Sequence, residues 1–193
     1  MGNTVILASQ SPRRLELLRM LGFDVKVLPA NLDESQITAE TPAMLTERLA
    51  RLKAEAIAQD GIEDLPILAA DTVVELDGKI LGKPTDADDA YRMLTRLSGR
   101  SHTVHTGLAI AYCGKTVSTV ESAMVHFRRL EEAEIRSYVA SGIPMDKAGA
   151  YGIQGPAGAF VKRLEGDYFT VVGLPLCRLV TLLRSEFGFS LHG

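Results

Sequence analysis

Apolar residues recur along the chain with two different periods, and their order outlines an α/β protein. Residues 4–8 and 67–70 are short apolar runs that read as strands buried on both faces. Between them, residues 24–28 alternate and predict a further strand. Leu15, Leu17, Leu18 and Leu21 recur at helical spacing, as do Leu45, Leu49, Leu52 and Ala56. Further helices are expected with Ala87, Ala90, Tyr91, Leu94 and Leu97 inward, over residues 131–140, and near the end with Leu179, Leu183 and Phe187 inward. Two β-rich runs, 101–113 and 116–127, predict a long hairpin joined at Gly114-Lys115. Residues 159–164 and 168–172 predict a final hairpin around Glu165-Gly166-Asp167.

Turn and cap residues punctuate this pattern. Ser11-Pro12 and Thr41-Pro42 each put an N-cap before a proline at the first helical position, where its missing N–H is harmless. Asp86 is placed to cap a third helix, and Asp77-Gly78 is a strong signal for a two-residue hairpin. Gly149, Gly152 and Gly155 recur at intervals of three, which calls for close backbone approach or for turns with positive φ. Their spacing is not a dinucleotide fingerprint.

Composition narrows the class. The 193 residues are 46% hydrophobic and 23% charged, as in a globular protein of one domain with room for two lobes. A formal net charge of −3 argues against extensive nonspecific nucleic-acid binding, which needs a basic footprint. Cys113 and Cys177 form neither a disulfide framework nor a zinc motif. Met1-Gly2 looks like an acylation start, but Ile6 stands where a hydroxyl residue is wanted. With no signal-like or membrane-spanning stretch, a soluble cytoplasmic protein is expected, its tail frayed at His192-Gly193.

Candidate chemistry gathers at a few turns. Ser9-Gln10-Ser11-Pro12-Arg13-Arg14 carries a strand into a helix N-terminus, whose free N–H groups and dipole suit an anion. Arg13 and Arg14 are disfavoured beside that dipole unless a phosphate sits between them; the other reading is a solvated pair. Asp33 and Glu34 fall in a polar loop and could share a metal or simply face water. Lys53 borders the apolar stripe of its helix, reaching either a cleft or solvent. Asp71 ends a buried apolar run, and Lys83 follows the return strand. His102 and His105, three apart in a strand, face opposite sides and cannot share an ion. Four cations and an acid pair form a natural kit for a polyphosphate, with one carboxylate activating water.

Taken together, Ser9-x-Ser11-Pro12-Arg13-Arg14, Asp33-Glu34, Arg51-x-Lys53-Ala54, Ala70-Asp71-Thr72, Gly82-Lys83-Pro84, the stretch from Asp146 to Gly155 and Val172-Gly173-Leu174-Pro175 resemble the Maf family across nearly the whole chain. The resemblance implies one nucleotide pyrophosphatase domain over residues 1–193. Its fold would be α/β and related to that of the inosine triphosphatases. An elongated, curved mixed sheet would be flanked by helices, in two lobes with an active cleft between them. It implies hydrolysis of dTTP and UTP, or modified pyrimidine nucleotides, to the monophosphate and pyrophosphate with a divalent cation, Mg²⁺ or Mn²⁺. Carried over residue by residue, Asp71 is the proton acceptor, with Lys53, Lys83 and Glu34 catalytic. Ser9, Arg13 and Arg14 bind phosphate, Glu34 and Asp71 hold metal, and Arg13, Thr72 and Gln154 match the dTTP/UTP branch. The expected partner is the nucleotide, with neither stable nucleic acid nor membrane, and a homodimer is left open. Two other readings remain: a non-enzymatic regulator of septum formation, which binds nucleic acid or a division protein, and a phosphatase that releases orthophosphate.

Overall fold

A computed structural model describes residues 3–34, 36–59, 61 and 64–189. The expectations for Met1-Gly2 and for His192-Gly193 lie outside the described residues. Seven strands form one sheet: β1 (Thr4–Leu7), β2 (Asp24–Val27), β3 (Ile67–Leu76), β4 (Lys79–Leu81), β5 (Ser101–Tyr112), β6 (Lys115–Phe127) and β7 (Val161–Glu165). Their order is β2-β1-β3-β5-β6-β7, with β4 on β3. β1 runs parallel to β2 and β3, whereas β4 is antiparallel to β3 and β7 to β6, so the sheet is mixed. The helices are α1 (Pro12–Met20), α2 (Pro42–Ala58), α3 (Ala87–Leu97), α4 (Glu132–Ala140), α5 (Tyr168–Val172) and α6 (Leu176–Phe187).

Local chemistry sets most of these boundaries. Asp77 and Gly78 both adopt positive φ, +54° and +74°, as a two-residue turn matched to strand twist requires. Cys113 and Gly114 repeat that geometry, so the second hairpin turns one residue earlier than the sequence pattern predicts. Thr41 Oγ1 accepts from Met44 N–H at 3.2 Å and Asp86 Oδ1 from Asp89 N–H at 2.7 Å, capping α2 and α3.

The final hairpin does not form. Asp167 accepts from Phe169 and Thr170 N–H at 3.2 and 3.0 Å, which starts α5 in a run whose β-branched and aromatic residues favour a strand. β7 pairs with β6 instead.

The chain divides into two compact units. The first comprises residues 1–71, 106–121 and 173–193, and Ile6, Ala8, Ala50, Ala54, Ile57, Ile67, Ala69, Ala109 and Ala111 form a core of it. Small residues dominate there because α2 lies very close to the sheet. A Cβ on Gly107 of β5 would stand 2.1 Å from the carbonyl oxygen of Thr46, so only glycine permits that approach. The same constraint turns α2. It buries Thr46, Leu49, Ala50, Ala54 and Ile57, so that of the predicted face of Leu45, Leu49, Leu52 and Ala56 only Leu49 is fully buried and the others are half-buried.

The second unit comprises residues 72–105 and 122–172. Its core holds Val74, Leu94, Leu97 and a group of rings, with Phe127 and Tyr151 centroids 4.8 Å apart and His102 5.0 Å from Phe127. His102 Nε2 lies 2.7 Å from Tyr151 Oη, and its Nδ1 has no hydrogen-bond partner among the described residues. His105 is held separately by Ser122 and Glu75, each at 2.7 Å.

Candidate active site

β1 ends beneath a turn that delivers three of the expected side chains. Ser11 takes the N-cap position of α1 with extended backbone, but its hydroxyl makes no cap bond. The bonding hydroxyl is that of Ser9, which accepts from Ser11 N–H at 3.2 Å and from Arg14 Nη1 at 3.0 Å. Arg14 also donates through Nε to the carbonyl oxygen of Gly173 at 2.8 Å. That carbonyl escapes sequence reasoning, because a backbone acceptor leaves no side-chain signal. The positive φ of Gly173, +117°, is the conformational demand behind its glycine.

Around Arg14 the charges are compensated. Burial lowers its guanidinium pKa and nearby Asp71 opposes that shift; Arg13 lowers it further, and Glu34 raises it again. The arginine side chain is thus pinned by a hydroxyl and a carbonyl while its charge is balanced by two carboxylates.

Lys53 stands at the centre of those carboxylates. Its position on α2, beside the buried Ala50 and Ala54, aims the ammonium at the end of the apolar run in β3. Nζ lies 2.7 Å from Asp71 Oδ1 and 2.8 Å from Glu34 Oε1. The Lys53 and Asp71 side chains are 15% and 16% exposed, against 46% for Glu34. A largely buried pair needs both members, since either charge alone would be stranded away from water. Lys53 therefore does not snorkel to solvent, and Asp71 is paired with a side chain.

Ser9, Arg14, Glu34, Lys53 and Asp71 form this group in the first unit, with Arg13 beside Arg14 in α1. Thr72, Lys83 and Gln154 belong to the second unit. Thr72 is the next residue of β3, and Lys83 is exposed between Gly82 and Pro84. Gly149 N–H donates to the Gly82 carbonyl at 3.0 Å, which ties the glycine-rich segment to the turn that carries Lys83. Gln154 is exposed in a turn closed by Gly155 N–H on the Gly152 carbonyl at 3.1 Å. Within that segment Gly149 has φ +67°, and its added Cβ would stand 2.9 Å from Val74 Cγ2.

The donor set suits a hard divalent cation. Two carboxylates, one in the loop before α2 and one in β3, already converge on one positive charge, the Lys53 ammonium. No cluster of three or more His, Cys, Asp or Glu occurs among the described residues. Magnesium fits such a pair, because it is commonly held by one or two carboxylates and completed by substrate phosphates and water.

Comparisons with known proteins identify the family and the fold. A family model described as "Maf-like protein" matches residues 4–186. A protein of Chromobacterium violaceum named "dTTP/UTP pyrophosphatase" is 50% identical over 191 residues, covering 97% of this chain and 96% of its own. One of the same name from Syntrophomonas wolfei is 52% identical over 179 residues, covering 92% and 94%. Among solved structures, a HAM1 protein from Coxiella burnetii superposes with a TM-score of 0.54 at 19% identity, over 96% of this chain and 100% of its own, a likeness of fold.

Proposed function

The chain belongs to the Maf family, and on that premise we propose that it hydrolyses dTTP and UTP to the nucleoside monophosphate and pyrophosphate. The observation that carries this reading is the Lys53 ammonium held between Glu34 and Asp71 beside the pinned Arg14. Water attacks the α-phosphorus and gives its proton to Asp71. The bond to the bridging oxygen breaks, and pyrophosphate leaves with the electron pair. Arg13, Arg14, Lys53 and Lys83 neutralise the phosphates, and Ser9 fixes the angle of Arg14. A divalent cation held by Glu34 and Asp71 would add positive charge at the phosphates and acidify the attacking water. We assign the enzyme to the cytoplasm because its proposed substrates are free nucleoside triphosphates; no helix among the described residues is long and apolar enough to cross a membrane.

Base choice is assigned to Arg13, Thr72 and Gln154. Uracil and thymine present an N3–H donor flanked by carbonyls, and a carboxamide can both accept from that donor and donate to a carbonyl. Arginine only donates, so it favours a carbonyl over the cytosine amino group.

The test is incubation of the pure protein with Mg²⁺ and each nucleoside triphosphate, with separate assays for pyrophosphate and orthophosphate. Pyrophosphate from dTTP and UTP, and little from dCTP or purine triphosphates, is expected. Orthophosphate as first product, or no release at all, would overturn the reading. Gln154→Ala should shrink the dTTP-to-dCTP ratio in kcat/KM more than it shrinks turnover.

A further inference from the structure

We propose that Lys53 is the resident counter-ion of the carboxylate pair, keeping a divalent cation out of the nucleotide-free site until incoming phosphates draw its ammonium away. The proposal rests on the reading above, since it takes a nucleotide polyphosphate as the group that relieves Lys53. Its physical basis is that one nitrogen bonds an oxygen of both Asp71 and Glu34, the two carboxylates assigned to the metal.

The ammonium is not a loose occupant. Its side chain is 15% exposed, and α2 is fixed against the sheet by the Gly107–Thr46 contact. Arg14 already sits near the same two carboxylates, so their negative charge is largely spent. A divalent cation arriving alone would share its ligands with a monovalent one and find no third carboxylate, His or Cys among the described residues to compensate. Two like charges on one oxygen pair repel, and in a partly buried site water screens them poorly.

A triphosphate changes the balance by offering Lys53 oxygens of its own. Metal and nucleotide then bind with positive coupling, which by linkage is the same in either order of addition. Lys53 thereby acts as a gate on the metal as well as a phosphate ligand.

The experiment is a titration of nucleotide-free protein with Mn²⁺, followed by calorimetry and by the electron-spin signal of free Mn²⁺. Lys53→Met should bind Mn²⁺ tighter than wild type by about tenfold or more, the scale on which a neighbouring group alters metal affinity. Lys53→Arg, which keeps the charge, should not gain. Adding Asp71→Asn to Lys53→Met should abolish the gain. Unchanged or weaker Mn²⁺ binding in Lys53→Met, or an equal gain in Lys53→Arg, would overturn the proposal.

A second measurement needs no variant. In wild type, the NMR signal of the Lys53 ammonium should stay in place with Mg²⁺ alone and move when an α,β-methylene analogue of dTTP is added with it. A full shift with Mg²⁺ alone would also overturn it. The pyrophosphate assay on wild type is independent of both measurements. If it fails while Lys53→Met gains Mn²⁺, the competition stands and the substrate reading falls; the reverse pattern removes the gate alone.

Discussion

The two units handle interior polarity in opposite ways. In the first, Arg14, Lys53, Glu34 and Asp71 bring charges into contact, each held by partners of opposite sign or by neutral oxygens. In the second, His102 and Tyr151 share one hydrogen bond among rings. There burial pushes the His102 pKa down to about 4 and the Tyr151 hydroxyl well above its usual range, so the pair carries no charge near neutrality. The charged group can exchange one partner for another, as binding and catalysis require. The neutral pair has no counter-ion to call on, so it tolerates no added proton. Charge changes within the Arg14, Lys53, Glu34 and Asp71 group should thus register as activity, and a charge placed on the His102–Tyr151 pair as stability.

The sharpest test of that contrast is Asp71→Asn. An amide oxygen can still accept from Lys53, and Glu34 remains on the ammonium, so the fold should survive. With the proposed proton acceptor gone, turnover of dTTP should fall by about 10²–10⁴-fold. Steady-state kinetics beside a melting curve would check both halves; near-normal turnover would remove Asp71 from its role.

Acid should strike the other unit. The folded-state pKa of His102 lies below the 6.5 of an unfolded chain, so between pH 6.5 and about 4 the unfolded state binds the extra proton. This residue's contribution is therefore intact above pH 6.5 and declines as pH falls to about 4. It totals up to about 3 kcal/mol. Urea unfolding from pH 7 to 4 should show a loss smaller by that amount in His102→Gln. Equal losses in both proteins would mean that the imidazole is not the acid-sensitive group.

Two smaller effects refine the comparison. Gly149→Ala places a Cβ 2.9 Å from Val74 Cγ2 at φ +67°. The left-handed backbone alone costs an L-residue roughly 1–2 kcal/mol. A stability loss of about 2 kcal/mol, read by urea unfolding at neutral pH, is expected once the valine's displacement is included. Lys83→Ala should be nearly silent in the same assay, within about 0.5 kcal/mol, because the side chain is exposed. Its signature should instead be slower pyrophosphate release by about tenfold or more, the loss of one phosphate-neutralising cation. If stability moves and rate does not, Lys83 is a structural residue.

Much of this was legible in the sequence where one residue sets one local outcome. Asp77-Gly78 makes its turn, and Thr41 and Asp86 cap their helices. The expected group of Ser9, Arg14, Glu34, Lys53 and Asp71 comes together, which no spacing along the chain shows and only the family resemblance implied. What stayed hidden depends on partners distant in sequence. The buried face of α2 is dictated by Gly107, and the role of the Gly173 carbonyl by Arg14. The helix α5 was misread because Asp167 overrides the β preference of the residues it caps. The pairing of His102 with Tyr151 likewise spans too much chain to be seen as a pattern.

The bond from Arg14 to Gly173 closes a stretch of 159 positions, and it bears on how the protein is made. The first unit is assembled from three separate pieces of chain, the last beginning at residue 173. A ribosome adding roughly 5–20 residues per second leaves Arg14 waiting on the order of ten seconds or more for its acceptor. During that wait the strand and helix that bear the arginine can form, but its guanidinium lacks the carbonyl that fixes it. On the proposed role of Arg14 as a phosphate ligand, a nascent chain halted before Gly173 holds that arginine through Ser9 alone and lacks the second of the two groups that pin it.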